Sequence, residues 1–466
     1  MRELKGWQRW FIGIWCAITS LFHLYTAAVG VFEPLIQRSI HLSFLLPLAF
    51  VLFPARKSSP KDRITLIDTV LACLALISTS YILINAERLS MRIEYVSSIS
   101  NIEIILGLLN IFLLVEAIRR TVAPVMAELI IIFLIYFFFG HYFPGIFYCK
   151  AYSLPRIIEM QYLLEDPGIY GPILGISATF VALFVIFAAF LQISGVGQFF
   201  SNVACRVAGN SKGGPAKIAV ISSGLFGTIS GASSANVYAT GSFTIPLMKK
   251  LGYDKLFAGA VEAAASTGGM IMPPVMGATA FVIAEFTQTP YLKVCKAAFL
   301  GAVLYYLVLL MMVHLEADKL GLQNLDNKEL PSWKIIIQDA HLIIPIIGLL
   351  YFLLNGYSAF TAAFWGIILS FGVSFFRRKS MMKPRKFFEA LEMGAKNMIV
   401  IALACAGAGI IISVITSSGL GLAISSIAIS WSKGILFVGL FIIMIASIIL
   451  GMGLPTTAAY IIAIAI

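Results

Sequence analysis

Apolar runs of about 20 residues recur along almost the whole chain, and that is the length an α-helix needs to cross about 30 Å of hydrocarbon. Clear candidates are Phe11–Phe32, Ile64–Ile84, Asn101–Ala117, Val122–Tyr142, Gly171–Ser194, Phe257–Phe286, Ala297–Val313, Leu342–Leu354, Ala359–Phe376 and Met398–Thr416. Ile40–Pro54 is shorter and can span only with help from its flanks. With 60% of residues apolar and 12% charged, an ordinary soluble domain is excluded. Short alternating strands are missing from the pattern, so a closed barrel is excluded too, and the expected fold is an all-α polytopic membrane protein.

The net charge of +11 is concentrated in short loops. Arg2, Lys5 and Arg9 precede the first run, Arg56, Lys57, Lys61 and Arg63 follow the second, and Arg119 and Arg120 follow the fourth. Lys249, Lys250, Lys255 and the block Arg377–Lys386 come later. If the spans alternate, these loops share one side, which the positive-inside bias makes cytoplasmic together with the N-terminus. Topology therefore accounts for the basic surplus, and no nucleic-acid partner is expected. The six cysteines show no paired spacing and lie mostly in apolar runs, which argues against a disulfide framework or a zinc site.

Within this pattern two stretches repeat at an offset of 224 residues, each with a glycine-rich break inside an apolar run. SGVGQFFSNVA at Ser194–Ala204 and GTISGASSAN at Gly227–Asn236 have counterparts in SGLGLAISSIA at Ser418–Ala428 and GMGLPTTAAY at Gly451–Tyr460. Ten of the 42 ungapped positions from Ser194 to Ala235 are identical, among them Ser223/Ser447 and Gly227/Gly451. Paired, interrupted hydrophobic segments in corresponding halves point to the binding site of a secondary transporter.

Charge and repeat together divide the chain. Residues 1–120 read as a four-span scaffold block, 121–170 as a connecting helix and outer loop, and 171–316 as a first repeat with a cytoplasmic-side hairpin at about 218–250. Residues 317–396 read as central scaffold helices, and 397–466 as the start of a second, inverted repeat with an outer-side hairpin at about 435–466. Lysines at both ends of the first hairpin (Lys212 and Lys217, then Lys249 and Lys250) make it enter and leave on one side. The expectation is two oppositely oriented re-entrant loops meeting in mid-membrane. The counterpart of Ser266–Pro274 would fall past position 466, so the second repeat is expected to be C-terminally incomplete in this sequence.

A helix broken inside hydrocarbon leaves free carbonyls on one half and free amides on the other, tolerable only around a cavity. The residues Gly227, Ser230 and Gly231 end the first half, whose carbonyls suit a small cation. Ser233, Ser234 and Asn236 open the second half, where free N–H groups and the helix dipole suit an anion such as a carboxylate. A second opening is expected at Ser266, Thr267 and Gly268, ahead of Pro273–Pro274, which remove two donors. Backbone carbonyls near Gly227, Ser230, Ser266 and Gly268 would then hold Na⁺. The second tip offers Gly451, Gly453, Thr456 and Thr457. Glu262, one turn before Ser266, is a candidate cation or proton site, with an interfacial Glu as the plainer reading. Gly/Ser pairs that merely let helices pack closely are the bland alternative.

The stretch SGASSANVYATGSFTIPLMKKLGYDKLFAGAVEAAASTGGMIMPPVMGATAF, Ser230 to Phe281, resembles the large membrane subunit of TRAP (tripartite ATP-independent periplasmic) transporters, and GMGLPTTAAYI at Gly451–Ile461 is a second match. Nearly the whole chain resembles the fused small-plus-large form, of the TAXI-associated type. The resemblance implies an inverted-repeat elevator, in which a domain carrying both hairpins moves against a scaffold. It also implies a multi-pass protein of a bacterial or archaeal cytoplasmic membrane, taking up a small organic acid delivered by an extracytoplasmic TAXI-type solute-binding protein. The coupling ion would be Na⁺, with H⁺ as the alternative, and no other cofactor is expected. No phosphate loop of the Walker type is present in the sequence, in keeping with ion-gradient drive. A passive channel is a second reading. An intramembrane serine protease using Ser233 or Ser234 is a third, and it lacks a histidine near either break.

Overall fold

A computed structural model describes residues 1–56, 58–322, 330–378, 380–452, 454 and 456–465. Among them every regular element is helical, and nine helices are long and apolar enough to cross a membrane. The protein is an all-α polytopic membrane protein. It divides into two compact units, Met1–Ala182 with Ala395–Ile466, and Leu183–Gly394.

The first unit opens with α1 (Gly6–Val29), α2 (Pro34–Leu52), α3 (Leu66–Ile84), α4 (Asn101–Thr121) and α5 (Pro124–Phe139). The starts of α3 and α4 follow from their caps. Thr65 accepts from the Asp68 amide, and Ser100 and Glu103 close a reciprocal capping box. α2 begins six residues before the apolar run that announced it, at Pro34. Gln37 and Arg38 precede the run and His41 lies inside it, and each is partnered in the fold. Gln37 Nε2 donates to Ala178 O (3.1 Å), Arg38 to Tyr170 O (2.9 Å), and His41 Nε2 lies 3.0 Å from Ser177 Oγ. Polar groups tolerated in a span are those with internal partners. One end of the block is tied by Asp68, fully buried between Arg2 and Arg120, the latter at 2.6 Å.

The second unit holds most of α6 (Pro172–Ser194), then α7 (Val196–Ala208) and α8 (Gly214–Ser230). After a two-residue break comes α9 (residues 233–250, with one widened turn at Val237–Gly241), then α10 (Lys255–Gly268) and α11 (Ala278–Phe286). α12 (Tyr291–Lys319), α13 (Trp333–Leu354) and α14 (Ala359–Ser374) complete it, and α15 (Pro384–Ser418) leads back into the first unit. α8 and α9 pack along each other: Leu247 and Leu251 join the apolar cluster that contains Ile218 at the base, and Asn236 reaches Ser223 near the tip. The chain therefore doubles back as a hairpin. The tip is narrower than the sequence indicated. α8 runs through Ser230, and the turn is confined to Gly231 (φ +59°) and Ala232. One left-handed glycine suffices to end the helix, as in an αL cap.

In the first unit α15 is followed by α16 (Leu420–Ser432), α17 (Leu436–Gly451) and α18 (Thr456–Ala465), and α17 packs against α18 across their break. Gly453, a candidate of the second tip, lies outside the described residues.

Candidate functional site

The polar centre of the second unit is assembled from α8, α9 and α10. α10 stays helical through Gly268, continues as a tight turn over Gly269–Ile271 and opens at residues 272–277, later than the expected Ser266–Gly268. Pro273 and Pro274 lack an N–H and crowd the carbonyls four residues before them, and there the helix gives way to a tight turn closed by Met272 N to Gly269 O (3.3 Å). Two glycine contacts then weld the tip of the hairpin to this opening. Gly227 lies against the Gly269 backbone, and Gly231 against Gly277, so a Cβ at any of the four meets main-chain atoms. A backbone bond from Val275 N to Thr228 O (3.1 Å) crosses the same seam. Tyr291 donates to Pro274 O and Val275 O, both at 2.7 Å, and fixes the far side of the opened strand.

Beneath this seam lies a buried row of oxygens. Ser223 Oγ and Ser266 Oγ are 2.9 Å apart. Asn236 Nδ2 donates to Ser223 O (2.9 Å) and reaches Ser266 O at 3.5 Å, while its own Oδ1 is buried with no hydrogen-bond partner among the described residues. Ser230 Oγ is buried in the same condition. One turn away Glu262, fully buried, receives Thr240 Oγ1 (2.5 Å), Thr244 Oγ1 and Ser266 Oγ (3.3 Å). Every one of these donors is an uncharged hydroxyl. A buried carboxylate and two unpartnered acceptors are costly unless something positive or donating completes them. Their chemistry, hard neutral oxygens with one carboxylate nearby, fits a small cation such as Na⁺.

Of the residues singled out by sequence, the fold brings Gly227, Ser230, Gly231, Asn236, Ser266 and Gly268 to this region, with Glu262 bordering it. Gly268 serves packing, because a Cβ there would meet the rings of Tyr305 and Tyr306, which donate to Ala264 O and Ala265 O at 2.8 Å each. Ser233 is half-buried and Ser234 exposed at the start of α9, where no side chain caps the free amides. Thr267 is exposed, and its hydroxyl is spent on Ala263 O (2.8 Å). At the second tip Gly451 and Thr456 are exposed and Thr457 is buried. Sequence reasoning missed Ser223, Thr240 and Thr244 as site residues. The identity of Ser223 with Ser447 was a signal for the first, and the four-residue spacing of the two threonines, one face of a helix, for the others.

Fold and site together define a polytopic helical membrane protein with a polar centre built on broken helices, the architecture of a membrane permease. A family model described as "Tripartite ATP-independent periplasmic transporter, DctM component" matches residues 109–466, and the chain belongs to that family. It is 29% identical over 153 residues to the C4-dicarboxylate TRAP transporter large permease protein of Pseudomonas aeruginosa, covering 33% of this chain and 35% of that protein. With the protein of the same name from Vibrio cholerae it shares 29% over 182 residues, 37% of this chain and 38% of the relative. With the isethionate TRAP transporter permease of Oleidesulfovibrio alaskensis it shares 35% over 94 residues, 20% and 15% of the two chains. The matched stretches thus span well under half the length of these curated relatives.

Proposed function

We propose that the chain is the membrane permease of a TRAP-type secondary transporter, which takes up a small organic acid handed over by an extracytoplasmic solute-binding protein, of the TAXI type, and is driven by a Na⁺ gradient. The relatives named for C4-dicarboxylates and isethionate support a small anionic solute. The observation that carries the ion is the buried, unpartnered Oδ1 of Asn236, within a row of neutral oxygens and beside a carboxylate that has only hydroxyl donors. In this reading Asn236, Ser223 and Ser266 line the cation site, and Glu262 supplies counter-charge through Ser266. The uncapped amides at Ser233 and Ser234 face the organic anion. Residues 1–120 act as scaffold, the N-terminus is cytoplasmic, and the hairpin unit moves as an elevator in the inner membrane.

Uptake into proteoliposomes tests the proposal. With the solute-binding protein present outside and radiolabelled organic acids as probes, accumulation should require an inward Na⁺ gradient and collapse when K⁺ replaces Na⁺. Accumulation under K⁺ alone would overturn sodium coupling in favour of H⁺, and equilibration without accumulation, equal in both directions, would support the channel reading.

A further inference from the structure

Where α1 and α3 flank the last turns of α2, the first unit carries a groove of about 420 Å³ open to its surroundings. Trp7, Phe11 and Trp15 form one wall at four-residue spacing along α1, Leu48 lies at the floor, and Cys73 and Leu76 form the α3 wall. The walls are exposed, Trp7 to 73% and Phe11 to 52%, and they belong to helices long and apolar enough to cross a membrane. Three element ends converge at one mouth of this groove: the start of α1, the end of α2 and the start of α3. The mouth is held by backbone bonds from Arg2 N to Leu52 O and Glu3 N to Lys61 O, both 2.8 Å, and by Arg2 Nε, which donates to Pro60 O (3.2 Å). Arg2 is committed to Asp68, but Lys5, Lys61 and Arg63 stand exposed around the mouth, opposed by the exposed carboxylates Glu3 and Asp62. Ile64, next to Arg63, itself lines the groove.

We propose that this groove is a specific site for an anionic phospholipid, with one acyl chain lying along Trp7, Phe11 and Cys73 and the phosphate held by Lys5 and Arg63. The occupant follows from the chemistry. The groove is apolar along its length, its mouth carries Lys5, Lys61 and Arg63 against Glu3 and Asp62, and Trp7 lies at that end. A second protein helix would leave the basic mouth without a partner. The acyl chain binds equally in either lipid, and the two basic residues near the headgroup favour the anionic one over a zwitterionic one by about tenfold.

Cys73 provides the reporter, being exposed while the other five cysteines are buried. The purified protein is placed in nanodiscs of phosphatidylcholine alone or of phosphatidylcholine with phosphatidylglycerol, and the rate of Cys73 alkylation by N-ethylmaleimide is measured. Native mass spectrometry counts retained lipid. The expected result is one retained phosphatidylglycerol per chain and alkylation slowed about tenfold. The Lys5→Gln/Arg63→Gln variant should lose both effects. Ala72→Phe, which fills the groove without changing its charge, should lose the retained lipid as well. Equal retention of the two lipids overturns the proposal, and so does unchanged retention in Ala72→Phe. Protection that rises with the number of chains per disc, and not with phosphatidylglycerol, also overturns it and assigns the groove to a second copy.

Discussion

Replacing Asn236 by Ala separates a cation ligand from a packing residue, because the two roles give opposite patterns of stability. In the fold Asn236 makes one good hydrogen bond, Nδ2 to Ser223 O at 2.9 Å, and one long approach to Ser266 O at 3.5 Å. Losing the first costs about 1 kcal/mol net, and the second adds little. Against this stands Oδ1, a buried acceptor with no partner, whose desolvation without compensation costs about 1–3 kcal/mol. Its removal offsets the lost bond, so without sodium the variant should unfold within about 2 kcal/mol of the wild type in either direction. With sodium the balance changes. A ligand at ten times its Kd stabilises the folded protein by about 1.4 kcal/mol, a rise of a few degrees in Tm. The wild type should show this rise in NaCl over choline chloride at equal ionic strength, followed by intrinsic fluorescence, and Asn236→Ala should not. If the variant keeps the full sodium increment while losing stability equally in both salts, Asn236 is packing alone and the ion site is elsewhere.

Three further outcomes follow from the same geometry. Gly231→Ala places a Cβ at φ +59° and against Gly277, so it should destabilise the second unit by more than about 1 kcal/mol and loosen the hairpin, read as faster amide exchange at 228–236. The double change Thr240→Val/Thr244→Val strands the Glu262 carboxylate, removing two charge-assisted bonds of about 1.5–3 kcal/mol each. Its cost should shrink sharply when Glu262→Gln is added, and strict additivity in that cycle would show that the threonines act elsewhere. Cysteines substituted at Lys249 and Lys433 should label from the cytoplasmic and outer sides respectively, and the reverse pattern discards the proposed orientation.

Helix type was legible because hydrocarbon demands a property that sequence displays openly, a long uncharged run, whereas the number was not, since the run Phe257–Phe286 is split into separate helices. α1, α3 and α4 begin or end within a few residues of their apolar runs, aided by local signals such as Ser100 with Glu103. α2 was the hard case. Its first turns carry Gln37, Arg38 and His41, and what makes them admissible, Ala178, Tyr170 and Ser177, lies more than 130 residues away. No window along the chain contains that information.

The same distinction explains which parts of the site could be read. Glycine and proline announce that a helix stops, so Gly231 and the Pro273–Pro274 opening stood out, although the length over which each break spreads depends on what meets it. The Gly227–Gly269 and Gly231–Gly277 contacts let two breaks share one seam, which is why α8 holds its helix to Ser230 and α10 to Gly268. Serine and threonine in apolar helices say much less, since most simply bond back to their own turn, as Thr267 does to Ala263. Thr240 also bonds back, to Asn236 O at 2.9 Å, yet its hydroxyl hydrogen can equally serve Glu262 at 2.5 Å. Only the packing of α9 on α10 decides between the two acceptors. A carboxylate is the stronger acceptor in a low-dielectric interior, so the proton belongs to Glu262. Any positive charge arriving at Asn236 competes for that same electron density through Ser266. Under the proposed function Asn236 and Glu262 are linked to one ion through Ser266, and Glu262→Gln should weaken sodium stabilisation while leaving the Asn236–Ser223 bond in place.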